Sequence, residues 1–255
     1  MNDHDALLTA IGEHPEEDTP RLMYADWLEE SGQSERADFV RTQVGVARPG
    51  LSAADRYPFV RKNVHYLTNF VPGWKAELPQ LDGIAWGDFN RGLIEEFEAE
   101  SEKPLVKHAR TVFAVPGVHI LRLRRLDAAA RLAKLPELAR LRALKMVSPY
   151  TTATALRALF ASPHLARLRV LDLHGQTSFY IHDPAVDTVA ADIADGRFPD
   201  LEELWLGSNR IGNDGAMALA HSPHLDKLRV LDLRNNPFTA LRAELRRRFG
   251  SALKM

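Results

Sequence analysis

The sequence predicts an α/β chain, a solenoid with short parallel strands inside and helices outside, preceded by a small all-helical module. Three observations predict it. The segment Ala158–Leu173 returns nearly unchanged as Ala218–Leu233, 60 positions later. Aliphatic anchors at Ile94, Val118, Leu141, Leu168, Leu201 and Leu228 stand 24, 23, 27, 33 and 27 residues apart. Before residue 47 the apolar spacing is instead that of helices.

The repeat fixes the architecture. Leu201-Glu-Glu-Leu204-Trp-Leu206-Gly-Ser-Asn209-Arg-Ile211 carries the L-x-x-L-x-L-x-x-N-x-L pattern in full, and the period matches the longer leucine-rich repeats. Each unit supplies one strand whose first, fourth and sixth pattern residues point inward. Leu168, Leu171 and Leu173 are therefore expected between Leu141, Leu144 and Met146 on one side and Leu201, Leu204 and Leu206 on the other. Stacking buries a core that no single repeat could bury. Helices are predicted over 154–160, 185–194 and 214–220, with Gly196 as a stop and Gln176 to Asp183 as a loop insertion. Asn209 and Asn236 stand where a side-chain amide bonds the backbone leaving the strand, with Gln176 as a substitute. Earlier units place Glu102, Leu126 and Pro149 there, an incomplete ladder.

Solenoid ends need covers. Thr239 to Arg248 is predicted as a last amphipathic helix with Leu241, Leu245 and Phe249 as its apolar stripe. Gly83 to Ile94 reads as two short strands around a Gly-containing turn, with Trp86 and Phe89 as lid residues of the first rung.

The first 47 residues read as three helices. Asp5 to Ile11 forms one. Thr19 caps and Pro20 opens a second, running to Glu30, with Leu22, Tyr24, Ala25, Trp27 and Leu28 as its buried side. Gly32 ends it, and Ser34 caps a third through Phe39, Val40 and Val44. Arg21, Asp26, Glu29 and Glu30, facing Arg36 and Arg41, have the spacing for salt bridges within a helical hairpin. The run Asp18-Thr-Pro-Arg-Leu-Met-Tyr-Ala-Asp-Trp-Leu-Glu-Glu30, inside Asp5 to Gln43, closely resembles the bacterial repeat-companion domain; Met23 stands where an aliphatic residue is usual. That resemblance covers about the first 45 residues and implies a module commonly followed by leucine-rich repeats, with no catalytic residues to carry over. The remainder resembles ribonuclease-inhibitor-type repeats. The domain reading is a helical module over 1–47, a linker, helix and hairpin cap over 48–91, and repeats with a helical cap over 92–255.

Composition narrows the chemistry. Cysteine is absent, which removes disulfides, thiolate metal sites and thiol nucleophiles. An acidic start and the lack of a long apolar run predict a cytoplasmic protein with no membrane partner. Ten histidines invite a metal site, yet none has metal spacing: His182-Asp183 with Asp187 falls in the insertion, and His164 and His224 are equivalent positions of the repeat. No phosphate loop, nucleophile elbow or dinucleotide fingerprint is present, so no enzyme, cofactor or metal is expected.

Binding is the predicted business of the chain. Pattern positions five and seven alternate outward from the strands. Position five reads Glu98, Arg122, Lys145, Asp172, Trp205, Asp232; position seven reads Glu100, Arg124, Val147, His174, Gly207, Arg234. A ladder of charge pairs, Glu98 with Arg122 and Lys145 with Asp172, competes with a partner surface as the explanation. Trp205, beside the small Gly207, tilts the balance, because hot spots favour Trp and Arg. The expected contact set is Arg122, Arg124, Lys145, His174, Trp205 and Arg234, for a protein partner bound by a monomer. Two rival readings are a GTPase-activating function, which some ribonuclease-inhibitor-type repeats have, and nucleic-acid contact through Arg246 to Arg248.

Overall fold

The chain opens with helices α1 (Asp3–Glu13), α2 (Thr19–Glu30), α3 (Ser34–Ala47), α4 (Ala53–Asn69) and α5 (Val71–Ala76). The computed structural model describes residues 3–147, 151–175 and 185–255. It forms two units, one of Met1–Gln80, Trp86–Phe97 and Thr111–His119, the other of Leu81–Ala85, Glu98–Arg110 and Ile120–Met255.

In the first unit, α2 starts at Thr19 with Pro20 in its opening turn, where a missing N–H costs nothing. It stops at Gly32, whose positive φ of 78° lets the chain reverse. Ile11, Tyr24, Ala25, Leu28, Ala37, Val40 and Val44 form the core of α1, α2 and α3, with Trp27 packed at its edge. Leu22, expected on the buried side of α2, is exposed. Its place inside is taken by Arg21, which no apolar-pattern argument would bury.

Ser52 caps α4, accepting the Asp55 N–H at 3.2 Å. Tyr66 of α4 and Phe39 of α3 head an aromatic cluster with Phe70, Trp74 and Phe89. After β1 (Ile84–Trp86), strands β2 (Phe89–Asn90) and β3 (Leu93–Ile94) pair antiparallel around Arg91-Gly92. The Gly83–Ile94 stretch therefore holds three strands rather than two. Phe89 is no solenoid lid; its ring lies 5.5 Å from that of Phe39 and 6.3 Å from that of Trp74. Trp86 donates its indole N–H to the Pro79 carbonyl at 2.9 Å and packs on Phe97.

The second unit is the solenoid. After β4 (Glu96–Ala99) and α6 (Glu102–Ala114) come β5 (Ile120–Leu123), β6 (Ala143–Met146), α7 (Ala153–Phe160), β7 (Val170–Asp172), α8 (Ala185–Ala194), β8 (Glu203–Trp205), α9 (Asn213–His221), β9 (Val230–Asp232), α10 (Arg242–Phe249) and β10 (Leu253–Lys254). The sheet order is β1-β4-β5-β6-β7-β8-β9-β10, and β5 through β10 run parallel. Leu121, Leu144, Leu171, Leu204 and Leu231 face one another rung to rung, as the anchors from Val118 onward require. The unit between β5 and β6 has two 3-10 turns, Leu132–Lys134 and Pro136–Arg140, where others have an α-helix. Pro136 interrupts the stretch where the neighbouring units run an α-helix.

The amide ladder is present where the sequence carries asparagine. Asn236 Oδ1 accepts the N–H groups of Asn209 at 3.1 Å and Ile211 at 2.9 Å, while its Nδ2 donates to the Leu206 carbonyl at 2.9 Å. Asn209 donates to the Leu173 carbonyl at 2.7 Å. In an earlier unit the buried Glu102 takes a similar part, accepting the Asp127 N–H at 3.2 Å. Gln176, Pro149 and the insertion lie outside the described residues.

At the far end the apolar residues of α10 are Leu245 and Phe249; Leu241 precedes the helix in a left-handed conformation. One element was not anticipated. Leu253–Lys254 adds a further parallel strand, pairing Leu253 with Leu231 and Lys254 with Asp232. The two histidines of the repeat are equivalent in backbone: Ser162 and Ser222 accept the N–H groups of His164 and His224, and the His224 ring lies where a side chain at Gly196 would be.

Candidate interaction face of the repeat sheet

Position five forms a continuous row. The register pairs Arg122 with Lys145, Lys145 with Asp172, Asp172 with Trp205, Trp205 with Asp232 and Asp232 with Lys254. Successive members stand about 4.8 Å apart on strands whose opposite face is leucine. Arg122 beside Lys145 is a like-charge neighbour pair, which a sheet tolerates when acids flank it. Glu98 does so on one side, with its carboxylate 3.6 Å from Arg122 Nε and 3.3 Å from an Arg124 guanidinium nitrogen. Asp172 stands in register on the other. The row ends with Trp205 between Asp172 and Asp232 and with Lys254 beyond them.

The first rungs enclose an open hollow of about 730 Å³, lined by Gly83, Ile84, Ala85, Glu98, Glu100, Arg124, Arg125 and Val147. Arg125 also holds Asp127 at 2.9 Å. Glu100, an outward position-seven residue, belongs to this surface together with Arg125, which neither outward position names.

At the other end the arrangement is tighter than the alternation rule implies. Gly207 leaves no vacant space beside Trp205, because a Cβ there would lie 2.6 Å from His174 Nδ1 and 3.3 Å from Asp232 Oδ1. Trp205 is half-buried; its N–H donates to Glu203 at 3.1 Å, and the Lys254 ammonium sits 4.0 Å from its ring centre, a cation–π contact. Lys254 could have been read from the sequence only by noticing that Leu253 resumes the strand pattern once more.

Asp232, nominally outward, is fully buried. It accepts Arg234 Nε at 3.0 Å, Arg234 Nη2 at 2.5 Å and the Arg234 backbone N–H at 3.0 Å. Burial pushes this carboxyl up, but the Arg234 hydrogen bonds outweigh burial and hold it below the ordinary carboxylate range. The same pairing raises Arg234. Arg234 is thus a tethered cation with half its side chain exposed. His174 is exposed, and its backbone N–H donates to Asp172 at 3.0 Å. Of the six expected residues, Arg122 and Arg124 gather around Glu98, Lys145 stands between, and His174, Trp205 and Arg234 gather around Asp232 and Gly207.

Elsewhere the charged groups serve the fold. Arg248 donates to the carbonyls of Leu219 at 3.2 Å and Ala220 at 2.6 Å and to that of Ser222, closing the end of α9. Asp187 accepts the Gly212 N–H at 2.8 Å. Among the described residues no group of three His, Asp or Glu is placed to hold a metal, and no helix is long and apolar enough to cross a membrane.

Parallel rungs, leucines inward and helices outside define the second unit as a leucine-rich-repeat solenoid. No family model and no curated protein matches the chain. Among solved structures, an internalin from Listeria monocytogenes is similar over 64% of this chain at 16% identity, with a TM-score of 0.38. The match spans 48% of the internalin chain, about half its length.

Proposed function

We propose that this chain is a noncatalytic binding module that holds a partner protein on the outward face of its repeat sheet, through Arg122, Arg124, Lys145, His174, Trp205 and Arg234. The observation that carries this reading is the in-register row of charged and aromatic side chains on strands fixed from behind by a leucine core. Such a row is preorganised, so little ordering entropy is lost on binding. Signs change along it, which favours a protein surface of mixed charge over a uniformly anionic nucleic acid. The commitment of Arg248 to the end of α9 points the same way.

In this reading residues 1–47 are a repeat-companion module, on the strength of the Asp18–Glu30 run, and the rungs are of ribonuclease-inhibitor type. The bacterial, cytoplasmic setting follows from that module and from the absence of cysteine.

The experiment is affinity capture of the tagged full chain against Arg122→Glu and Trp205→Ala variants, with mass spectrometry of what is retained. Loss of the same proteins by both variants supports the face. Capture unchanged by both overturns it.

A further inference from the structure

Nine large apolar residues are exposed among the described residues, and five of them, Tyr57, Phe59, Val60, Val64 and Leu67, lie on α4. Phe59 belongs to the side facing α3, where its ring lies against Gly45. The other four are 64%, 40%, 56% and 41% exposed. Their spacing of three, four and three residues places them along one line of the helix, the a and d positions of a heptad. Tyr66, buried in the aromatic cluster, sits on the opposite side. A helix that already packs one face and carries a second apolar seam in water presents a contact surface.

Charge decides what the seam accepts. Asp55 receives a hydrogen bond from Ser52, Lys62 holds Asp38, and Arg56 donates to the Arg48 carbonyl. Arg61 alone of the α4 cations has no hydrogen-bond or ion-pair partner among the described residues. It stands at the e position beside Tyr57 and Val64. Pairing with α4 of a second copy is disfavoured in either direction: antiparallel alignment about the middle of the seam brings the two Arg61 side chains together, and parallel alignment sets Arg61 against Arg56. An anionic membrane is disfavoured too: α4 carries only Arg56, Arg61 and Lys62, and Lys62 is held by Asp38, short of the basic cluster that such a surface requires.

We propose that α4 is a second docking surface, which takes one amphipathic helix of a partner protein with an apolar a/d seam and acidic flanking residues. The a/d contacts supply affinity, and Arg61 selects the flanks.

The test titrates the full chain with two synthetic three-heptad peptides that share leucine at a and d and carry either glutamate or lysine at e and g, read by fluorescence anisotropy. The Glu-flanked peptide binds more tightly, by about fivefold, the size expected of a few exposed charge contacts. Arg61→Glu reverses the order of the two peptides. Val64→Glu, an exposed position whose circular dichroism stays that of the parent, removes binding of both. Equal binding of the two peptides, or binding indifferent to Val64→Glu, overturns the proposal. So does self-association of the parent chain that Val64→Glu abolishes in sedimentation equilibrium. Retention on phosphatidylcholine vesicles with about a quarter phosphatidylserine, lost in the same variant, also overturns it.

Discussion

The guanidinium of Arg21 closes on the carboxylate of Glu95, 74 residues away, and both side chains are withdrawn from water, at 0% and 5% exposure. Arg21 also donates to the Pro15 carbonyl at 2.9 Å, and Asn90 donates to the second Glu95 oxygen at 2.5 Å. Burial lowers the Arg21 pKa, and Glu95 opposes that shift. Removing Glu95 leaves the buried Arg21 without its counter-ion, and removing Arg21 leaves Glu95 with only Asn90 and the more distant Arg91, 3.8 Å away. Glu95→Ala and Arg21→Ala are each expected to destabilise the chain by about 3–5 kcal/mol. The double change Arg21→Met with Glu95→Leu should cost markedly less than the sum of its parts, measured by urea denaturation. Additive losses would show that the pair acts through packing alone.

Asn236 holds two backbone N–H groups of the neighbouring unit with one oxygen. Asn236→Ala strands both in a dry interior and should cost about 2–4 kcal/mol. Asn235→Ala, next to it but bonded only to the half-buried Ser208, loses one surface hydrogen bond and an asparagine that tolerates a φ of 58°, and should cost about 1 kcal/mol, clearly less. Thermal melts of the two variants check the contrast.

Two glycines answer differently to a methyl group. Gly92 has φ of 90°, and a Cβ there would lie 2.4 Å from Val40 Cγ2 and 2.9 Å from its Cα, which cannot move away. Gly92→Ala should lose about 2–4 kcal/mol from strain and overpacking together. At Gly207 the nearest obstacle is the ring of His174, an exposed side chain rather than backbone. Gly207→Ala should cost less than about 1 kcal/mol, yet shift the His174 ring resonances and weaken partner capture.

Asp232 makes the solenoid sensitive to acid. Its carboxyl is held below the ordinary range in the folded chain, so the folded state binds its proton less readily than the unfolded state does. The stability this confers is complete above the unfolded carboxylate pKa of about 3.9 and is lost as pH falls through the folded value. Asp232→Asn should lower stability at neutral pH and flatten its decline below about pH 4. Parallel slopes for variant and parent in acid denaturation would assign the sensitivity elsewhere.

The repeat, the register of the rungs and the sites of the asparagine ladder are legible in the sequence. Each follows from local periodicity: an inward residue must be apolar whatever lies beyond it, and a backbone turn needs an amide at a fixed offset. The tertiary structure alone decided the rest. Arg21 has the spacing for a salt bridge inside the helical hairpin, yet its partner lies 74 residues on, and no spacing rule reaches that far. Phe89 joins the aromatic cluster of Phe39 and Trp74 instead of covering the first rung, and a two-residue strand carries too little pattern to say which surface it meets. The space beside Trp205 vanished because His174 and Asp232, from neighbouring rungs, fill the hole that Gly207 leaves. Lys254 joined the ring only because Leu253–Lys254 pairs with β9. Inward positions obey the pattern because water enforces it everywhere alike, whereas outward positions are settled by whichever side chains three-dimensional neighbours bring.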